Sequence, residues 1–317
     1  MSLNLSNTPI VSVACITYNH AKYIREAIES FLMQKTNFSY EILIHDDAST
    51  DGTDQIIKEY ELKYPNLIFP TYQSENQFSK GVRRILATFV FPKCRGKYIA
   101  LCEGDDYWTD PLKLQKQCEY LETNPEFGLV FTDADYLYER NNQLIRAYDK
   151  TFRRHLPTGD VLNDLLYDNP YKTCTALFRT CLTDDYNRLV INKNFTMGDY
   201  PLWLIIAGKA KVGYMGESTA VYRIRNNSAS HFHELGNRIS FLKSTYRISV
   251  YFSTYYNVKI NKKKLKKKYY YSVLNYLAQK KRFKILFSYA GCFPLALALI
   301  WKEWLWHLIV WRVNRFK

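Results

Sequence analysis

The chain has 317 residues, of which 47% are hydrophobic and 16% aromatic, so the composition supports a large core and excludes global disorder. The net charge is +14, but residues 259–317 hold 15 Lys and Arg against one acid, Glu303, and the first 258 residues are neutral. A uniformly basic nucleic-acid binder is therefore excluded, and we expect no nucleic-acid partner.

The first half of the chain alternates between apolar, Val- and Ile-rich runs and amphipathic runs. This alternation predicts an α/β fold with a mostly parallel sheet flanked by helices on both faces. In chain order, the patterns predict strands over 9–19, 40–49, 66–73, 97–102 and 128–138, and helices over 21–34, 53–64, near 81–90 and 111–124. Further on, 200–210 is expected to be helical and 211–225 extended.

The seven cysteines are scattered without a CxxC pair, which favours reduced thiols and a cytoplasmic setting. The start of the chain, "MSLNLSNTPI", lacks the basic and apolar regions of a signal peptide, so none is expected.

Polar clusters follow three of the predicted strands directly: "TYNH" (17–20), "HDDASTDGT" (45–53) and "CEGDDYW" (102–108). Ligands of open parallel sheets bind at the carboxyl ends of the strands, which makes this edge the candidate site. In the second cluster, turn formation and capping of the helix near Thr53 explain Asp51, but they do not explain the adjacent Asp46 and Asp47. One of these two carboxylates is expected to accept a hydrogen bond from a nucleobase N–H.

The third cluster is either a solvated capping loop or a cation site. Glu103 and Asp105 stand at alternate positions, where two carboxylates can share Mg²⁺ or Mn²⁺ with substrate phosphates, and Gly104 permits close backbone approach. Because no GxGxxG or GxxxxGK[ST] motif occurs, a diphosphate must be held by metal and by basic side chains such as Arg83 and Arg84.

The segments "VSVACITYNHAKYIREAIESFLMQ", "YEILIHDDASTDGT" and "GKYIALCEGDDYWTDPLKLQKQ" resemble family 2 glycosyltransferases. The resemblance implies a GT-A fold, a sugar nucleotide donor that is usually UDP-linked, a divalent cation (Mn²⁺ or Mg²⁺), and transfer with inversion. Several residues then match nucleotide-contacting positions: Thr17, Tyr18 and Asn19 in the first loop, Asp47 or Asp46 with Ser49 in the DDxSxDGT motif, and Arg83.

The resemblance also assigns the metal motif and the catalytic base. Glu103-Gly104-Asp105 matches the family's DxD, with Glu in place of the first Asp. Asp105 is therefore the expected metal ligand, and Glu103 either shares the cation or acts only through water or the ribose. Asp106 is expected to shape the loop or to bond the donor sugar. Asp199 matches the family's general base, although Gly198 replaces the usual Glu and a helix N-terminal acid is the alternative. Arg225 stands where a His is common, which suggests a cation facing the diphosphate.

Three residues are candidates for the acceptor side. Asp133 and Asp135 lie in "LVFTDADYLY", where alternation places both on one strand face, either lining the acceptor pocket or facing solvent. Trp108 either stacks on the acceptor sugar or packs in the core.

The sequence divides into a catalytic domain over 1–235, with a nucleotide-sugar part (1–110) and an acceptor part (111–235), and a basic, aromatic-rich helical extension over 236–317. Lysine runs and tryptophans in 259–317 favour peripheral contact with the inner face of a bacterial membrane over docking on the catalytic domain. We expect an inverting hexosyl- or N-acetylhexosaminyltransferase acting on a glycan or polyprenyl-linked oligosaccharide in polysaccharide biosynthesis. The alternative is a non-catalytic nucleotide-sugar-binding protein with a degenerate site.

Overall fold

The structure is a computed structural model that describes residues 8–152, 154, 156–190, 193–225 and 235–279. One nine-stranded sheet runs through residues 11–224 in the order β3-β2-β1-β4-β8-β6-β9-β5, with β7 paired to β6. The strands are β1 Val11–Thr17, β2 Tyr40–Asp46, β3 Ile68–Tyr72, β4 Tyr98–Leu101, β5 Tyr107–Trp108, β6 Phe127–Tyr138, β7 Gln143–Ile145, β8 Leu177–Arg179 and β9 Lys211–Ile224. The helices are α1 Ile24–Leu32, α2 Thr53–Lys63, α3 Lys113–Thr123, α4 Tyr148–Thr151, α5 Leu162–Leu165, α6 Asp184–Val190, α7 Asp199–Ala207, α8 Leu235–Tyr255 and α9 Lys262–Gln279.

The first four strands form the parallel part of the sheet that the sequence predicts. Strand β1 pairs in parallel with β2 and β4, and β2 pairs in parallel with β3. The second half is mixed, because β8 joins β4 and β6 in antiparallel pairs while β6 and β9 are parallel. The order of the strands therefore places the ends of β1, β2 and β4 side by side.

Each face of the sheet has its own hydrophobic core. On one face, the apolar side of α1 is fully buried through Ile24, Ile28 and Phe31, as their helical spacing predicts. On the other face, α7 is apolar all round and buried, and its Trp203 meets Phe131 edge to face at 5.0 Å between ring centroids. These two layers fix the strand ends from both sides.

The helix predicted near 81–90 is wrong in its first half. Gly81 has a φ of +95°, a left-handed conformation that ends any helix, and regular structure begins only with a π-helical turn over Leu86–Val90. A 3₁₀ turn over Phe91–Lys93 follows. The loop before Leu86 is free to approach the ends of the strands.

The six described cysteines are unpaired, in keeping with the scattered pattern in the sequence. Within the described residues, no helix is both long and apolar enough to cross a membrane. The aromatic tail over 280–317, which the sequence analysis assigns to a membrane surface, lies outside the described residues.

Candidate active site

The three polar clusters meet at one edge of the sheet. Thr17 lies opposite Asp46 in the parallel register of β1 and β2, and the Gly104 amide donates to the Ile16 carbonyl at 2.9 Å. Gly104 is required here, because a Cβ at this position would lie 2.8 Å from the Thr17 hydroxyl oxygen. The loop after β4 is therefore packed directly on the end of β1.

Asn19 and Ser49 join the first two loops. The Ser49 hydroxyl donates to Asp46 at 2.5 Å and accepts from the Asn19 amide at 2.8 Å. The Asn19 side chain in turn accepts from the Thr50 amide at 2.8 Å. Burial raises the pKa of Asp46, while its bonds from Ser49 act in the opposite direction. These predicted nucleotide contacts thus also build a preorganised rim, on which Tyr18 is 44% exposed.

Asp47 holds the loop that carries Arg83. Its buried carboxylate accepts from the backbone amides of Gln77 at 2.8 Å and Phe78 at 3.0 Å. Arg83 lies over the Phe78 ring, with its Cζ 4.2 Å from the ring centroid, and its carbonyl oxygen lies 3.6 Å from where a Cβ would stand on Gly198. The loop therefore connects the nucleotide side of the edge with the start of α7.

The three carboxylates of the third cluster, Glu103, Asp105 and Asp106, lie in three different environments. Asp105 Oδ2 lies 2.5 Å from the Arg225 guanidinium, and its side chain is 13% exposed. Glu103 is partly buried, and burial together with the Asp105 charge raises its pKa to about 8. Asp106 is buried and accepts from the Arg223 amide at 2.8 Å, and burial raises its pKa well above the ordinary value. Of its two predicted roles, the contacts of Asp106 correspond to shaping the loop.

His20 is a site residue that the sequence analysis did not select. Its Nε2 lies 3.0 Å from Arg225 and 3.9 Å from Asp105, and burial lowers its pKa. His20 ends the "TYNH" cluster, so the sequence does contain a signal for it. No spacing rule, however, links His20 to Asp105 or Arg225, which lie 85 and 205 positions later in the chain. Arg225, which the sequence predicts to face a diphosphate, is paired with Asp105 at the candidate metal motif.

Asp199 is the first residue of α7, and Asn169 donates to its carboxylate at 3.2 Å. Burial raises the pKa of Asp199, whereas the Asn169 bond and the Lys172 charge act to lower it. The segment 169–173 also lies near the third polar cluster (102–108), because the Thr173 side chain lowers the pKa of Glu103 and the Asp199 charge raises it. Asn169 and Lys172 lie outside any motif, so the sequence analysis missed both.

Two acceptor candidates have structural contacts that decide between their alternatives. Trp108 is 1% exposed, donates from Nε1 to the Cys174 carbonyl at 2.9 Å, and packs on Phe31, so it belongs to the core and offers no free face to a sugar. Asp133 does not face solvent: it is fully buried and accepts from the amides of Asp149 and Lys150, both at 3.1 Å.

Asp135 is likewise buried rather than solvent-facing. It accepts from the Ala147 amide at 2.8 Å and from the Ser218 hydroxyl at 2.5 Å. Direct contact of Asp133 or Asp135 with an acceptor would require the segment 147–150 to move. Both carboxylates instead position that segment beside the sheet.

The Glu103-Gly104-Asp105 motif fits a hard divalent cation only in combination with a bound diphosphate. Within the described residues, no group of three His, Cys, Asp or Glu side chains is arranged to hold a metal. Mg²⁺ commonly takes one or two carboxylates plus substrate phosphates, a donor set that Asp105 and Glu103 can start. A cation that binds Asp105 must displace the Arg225 guanidinium or share the carboxylate with it.

The parallel sheet, its polar edge and the acidic loop after β4 are those of the GT-A fold class. A fragment of Staphylococcus aureus TarS, solved with UDP-GlcNAc, matches at a TM-score of 0.58 and 18% identity over 86% of this chain and 73% of that chain. A Pyrobaculum calidifontis mannosyltransferase, solved with GDP-Man and Mn²⁺, matches at 0.58 and 17% identity over 97% of this chain and 83% of its own.

The model of the family "Glycosyl transferase family 2" matches residues 12–179, and the chain belongs to this family. TuaG of Bacillus subtilis, whose name places it among teichuronic acid biosynthesis glycosyltransferases, is 31% identical over 70% of this chain and 82% of its own length. A Mycobacterium tuberculosis protein is 38% identical over 67% of this chain. The match spans 58% of that relative's length.

Proposed function

We propose that the chain is an inverting glycosyltransferase that moves a hexosyl or N-acetylhexosaminyl group from a nucleotide diphosphate donor, UDP-linked by our expectation, to a saccharide acceptor. One observation carries this proposal. The segment 169–173 lies beside both groups, because Asn169 donates to Asp199 at 3.2 Å and the Thr173 side chain lowers the pKa of Glu103, so the proposed base and the proposed metal motif flank one short loop. A donor held at the motif is then within reach of a nucleophile activated by Asp199.

The nucleotide is assigned to the rim formed by Thr17, Tyr18 and Asn19 and by the Asp46–Ser49 loop. Tyr18 has the exposed ring on which a base can stack. Either Asp46 or Asp47 is the expected partner of the base N–H, and the Thr17 hydroxyl, which is buried without a partner in the described structure, lies beside them. Arg83 and Arg225 supply positive charge toward the diphosphate.

Asp105 and Glu103 would hold a divalent cation, which when bound stabilises the charge of the departing diphosphate. The side chains of the site divide the remaining work. Asp199 accepts the proton of the acceptor hydroxyl. The hydroxyl oxygen of the acceptor attacks the anomeric carbon of the donor as the bond from that carbon to the diphosphate breaks. Attack from the face opposite the leaving group inverts the anomeric configuration. Asn169 holds the Asp199 carboxylate in place for this step.

The acceptor is proposed to be a glycan or polyprenyl-linked oligosaccharide of a surface polysaccharide. The name of TuaG supports this class, since it refers to the synthesis of such a polymer. The α8–α9 hairpin supports contact with an anionic membrane surface, because residues 235–279 hold ten Lys and Arg and no Asp or Glu. We place the enzyme at the inner face of the bacterial membrane, with the rest of 259–317 completing the contact.

The test is a thermal-shift screen of the intact chain against UDP- and GDP-sugars, with and without Mn²⁺. A ligand that binds only the folded state raises the melting temperature. At a concentration 100 times its Kd, it adds about 2.7 kcal/mol to the free energy of unfolding. We expect a UDP-sugar to give the largest shift, and Mn²⁺ to increase it. No shift with any sugar nucleotide would contradict the proposal.

A further inference from the structure

Four aromatic side chains form a patch on the acceptor half of the domain: Tyr136, Tyr148, Phe152 and Tyr222. The Tyr136 and Tyr148 rings stack at 3.7 Å between centroids, and Phe152 lies 4.7 Å from Tyr148. Tyr222 meets Tyr136 at 5.4 Å. Phe152 is 54% exposed, which is unusual for a ring that packs against neighbours, so the aromatic patch has an open edge.

The segment that carries this patch is held under strain. Ala147, which immediately precedes Tyr148, has a φ of +42°, a region that residues with a Cβ seldom adopt. The buried carboxylates of Asp133 and Asp135 fix it by accepting the amides of residues 147, 149 and 150. Backbone strain that is held by buried polar groups is typical of binding sites.

Lys172 connects the aromatic patch with the proposed base. Its ammonium nitrogen lies 5.4 Å from the Tyr222 ring centroid and 5.8 Å from that of Tyr136, and Asn169, three residues earlier, bonds to Asp199. The neighbouring carboxylates already have partners, because Asp149 pairs with Arg154 at 3.1 Å. In the described part of the chain, the Lys172 ammonium contacts the Tyr136 and Tyr222 rings but has no hydrogen bond or ion pair, and its side chain is partly buried.

We propose that the aromatic patch and Lys172 form the acceptor subsite, and that the acceptor is a saccharide with an anionic substituent, either a carboxylate or a phosphate. The apolar face of the sugar packs on Phe152 and the edge of Tyr148, and the anionic group pairs with Lys172, with Arg154 at the rim. A neutral sugar would lack this ion pair and should bind less tightly. This inference rests on the proposed function for the location of the reacting hydroxyl beside Asp199.

The test is a titration of the full chain, monitored by saturation-transfer NMR, with three simple probes. These are methyl β-glucuronide, the 6-phosphate of methyl β-glucoside, and methyl β-glucoside as the neutral control. The titrations are run with and without UDP. The sugar nucleotide screen described above tests donor binding separately, so the two results can be judged independently. We expect at least one charged probe to bind about fivefold more tightly than the neutral glucoside, as one partly screened ion pair gives. The carboxylate and phosphate arms identify which anion is recognised.

Two variants locate the effect. Lys172→Met should remove the preference for the charged probe, while Phe152→Ala should weaken all three probes. Lys63→Met, which removes an exposed charge from the last turn of α2, is the matched control and should change nothing. If Lys172→Met does not fold, Lys172→Gln replaces it, and melting temperatures identify such cases.

Equal binding of charged and neutral probes by the unmodified chain, or an unchanged preference in Lys172→Met, would overturn the inference. Failure to bind any of the probes by a chain that binds sugar nucleotides would also overturn it. Failure to bind sugar nucleotides, in contrast, would count against the proposed function alone.

Discussion

Replacing Asp199 with Asn tests the proposed base while preserving the shape of the side chain. A general base contributes about 10²- to 10⁴-fold to a rate, which corresponds to about 3–5 kcal/mol of the barrier at about 1.36 kcal/mol for each factor of ten. The Asn169 amide can still donate to the carbonyl oxygen of the new side chain, so the position of the loop should be kept. Transfer should therefore fall by at least two orders of magnitude with donor binding intact.

The same substitution should not destabilise the fold. Burial raises the pKa of Asp199, so the ionised carboxylate is penalised in the folded state at every pH above that raised pKa, and the penalty disappears as the pH falls below the unfolded value. At neutral pH the Asp199→Asn variant lacks this penalty, and its melting temperature should equal or exceed that of the unmodified chain. A drop in stability would show that the carboxylate is mainly a structural cap.

The assay measures nucleoside diphosphate release and product formation at saturating donor, over a range of pH. Because the base must be ionised and burial raises its pKa, activity should rise with pH through a limb above the ordinary Asp value of about 3.9. Asp164→Asn, which changes an exposed carboxylate in α5, is the matched control. Turnover by Asp199→Asn within a few-fold of the unmodified chain would refute the role of Asp199.

Three further substitutions test neighbouring parts of the site. Asn169→Leu removes the hydrogen bond to Asp199 and also a buried side-chain oxygen that has no partner in the described structure, a group that costs about 1–3 kcal/mol. Calorimetry should therefore show unchanged or higher stability, while kcat falls about tenfold or more because Asp199 is no longer held in place. Lower stability with a normal kcat would contradict this. Arg225→Met removes the ion-pair partner of Asp105, so the free energy of unfolding should fall by about 1–3 kcal/mol. Mn²⁺ should then raise the melting temperature of this variant more than that of the unmodified chain. An equal effect of Mn²⁺ on both would argue against metal binding at Asp105. Gly104→Ala places a Cβ 2.9 Å from the Ile24 side chain and should cost about 1–3 kcal/mol and weaken donor binding, whereas Gly216→Ala, which meets nothing within 4 Å, should do neither.

The sequence predicts the first half of the fold because the signals there are local. Apolar runs end in polar clusters at β1, β2 and β4, and parallel pairing brings their carboxyl ends to one edge. The same reasoning does not extend to the loop over residues 75–85. Its shape depends on Asp47, which accepts amides 30 residues later in the chain, and on the conformation of Gly81.

The second half of the sheet and its loops are less predictable from sequence for a physical reason. Asn169 and Lys172 stand in irregular chain between α5 and β8, where no periodicity marks a functional position, and only tertiary contacts bring them to Asp199. Trp108 follows the metal motif, but a two-residue strand paired to β9 points its ring into the core. The alternation in β6 predicts that Asp133 and Asp135 lie on the same face of the strand. It does not predict that the segment 147–150 covers that face and donates amides to both carboxylates.

The most direct test of the proposed activity measures the nucleoside diphosphate that the intact chain releases from a panel of sugar nucleotides. The assay contains Mn²⁺ and, as acceptor, lipid-linked oligosaccharide extracted from bacterial membranes. We predict acceptor-dependent release from one donor, with a product whose new glycosidic bond has the opposite anomeric configuration to that of the donor. Tight donor binding without any acceptor-dependent release would contradict the account and favour a nucleotide-sugar-binding protein without catalysis. A product that retains the donor configuration would contradict the role of Asp199 as a base in a single displacement.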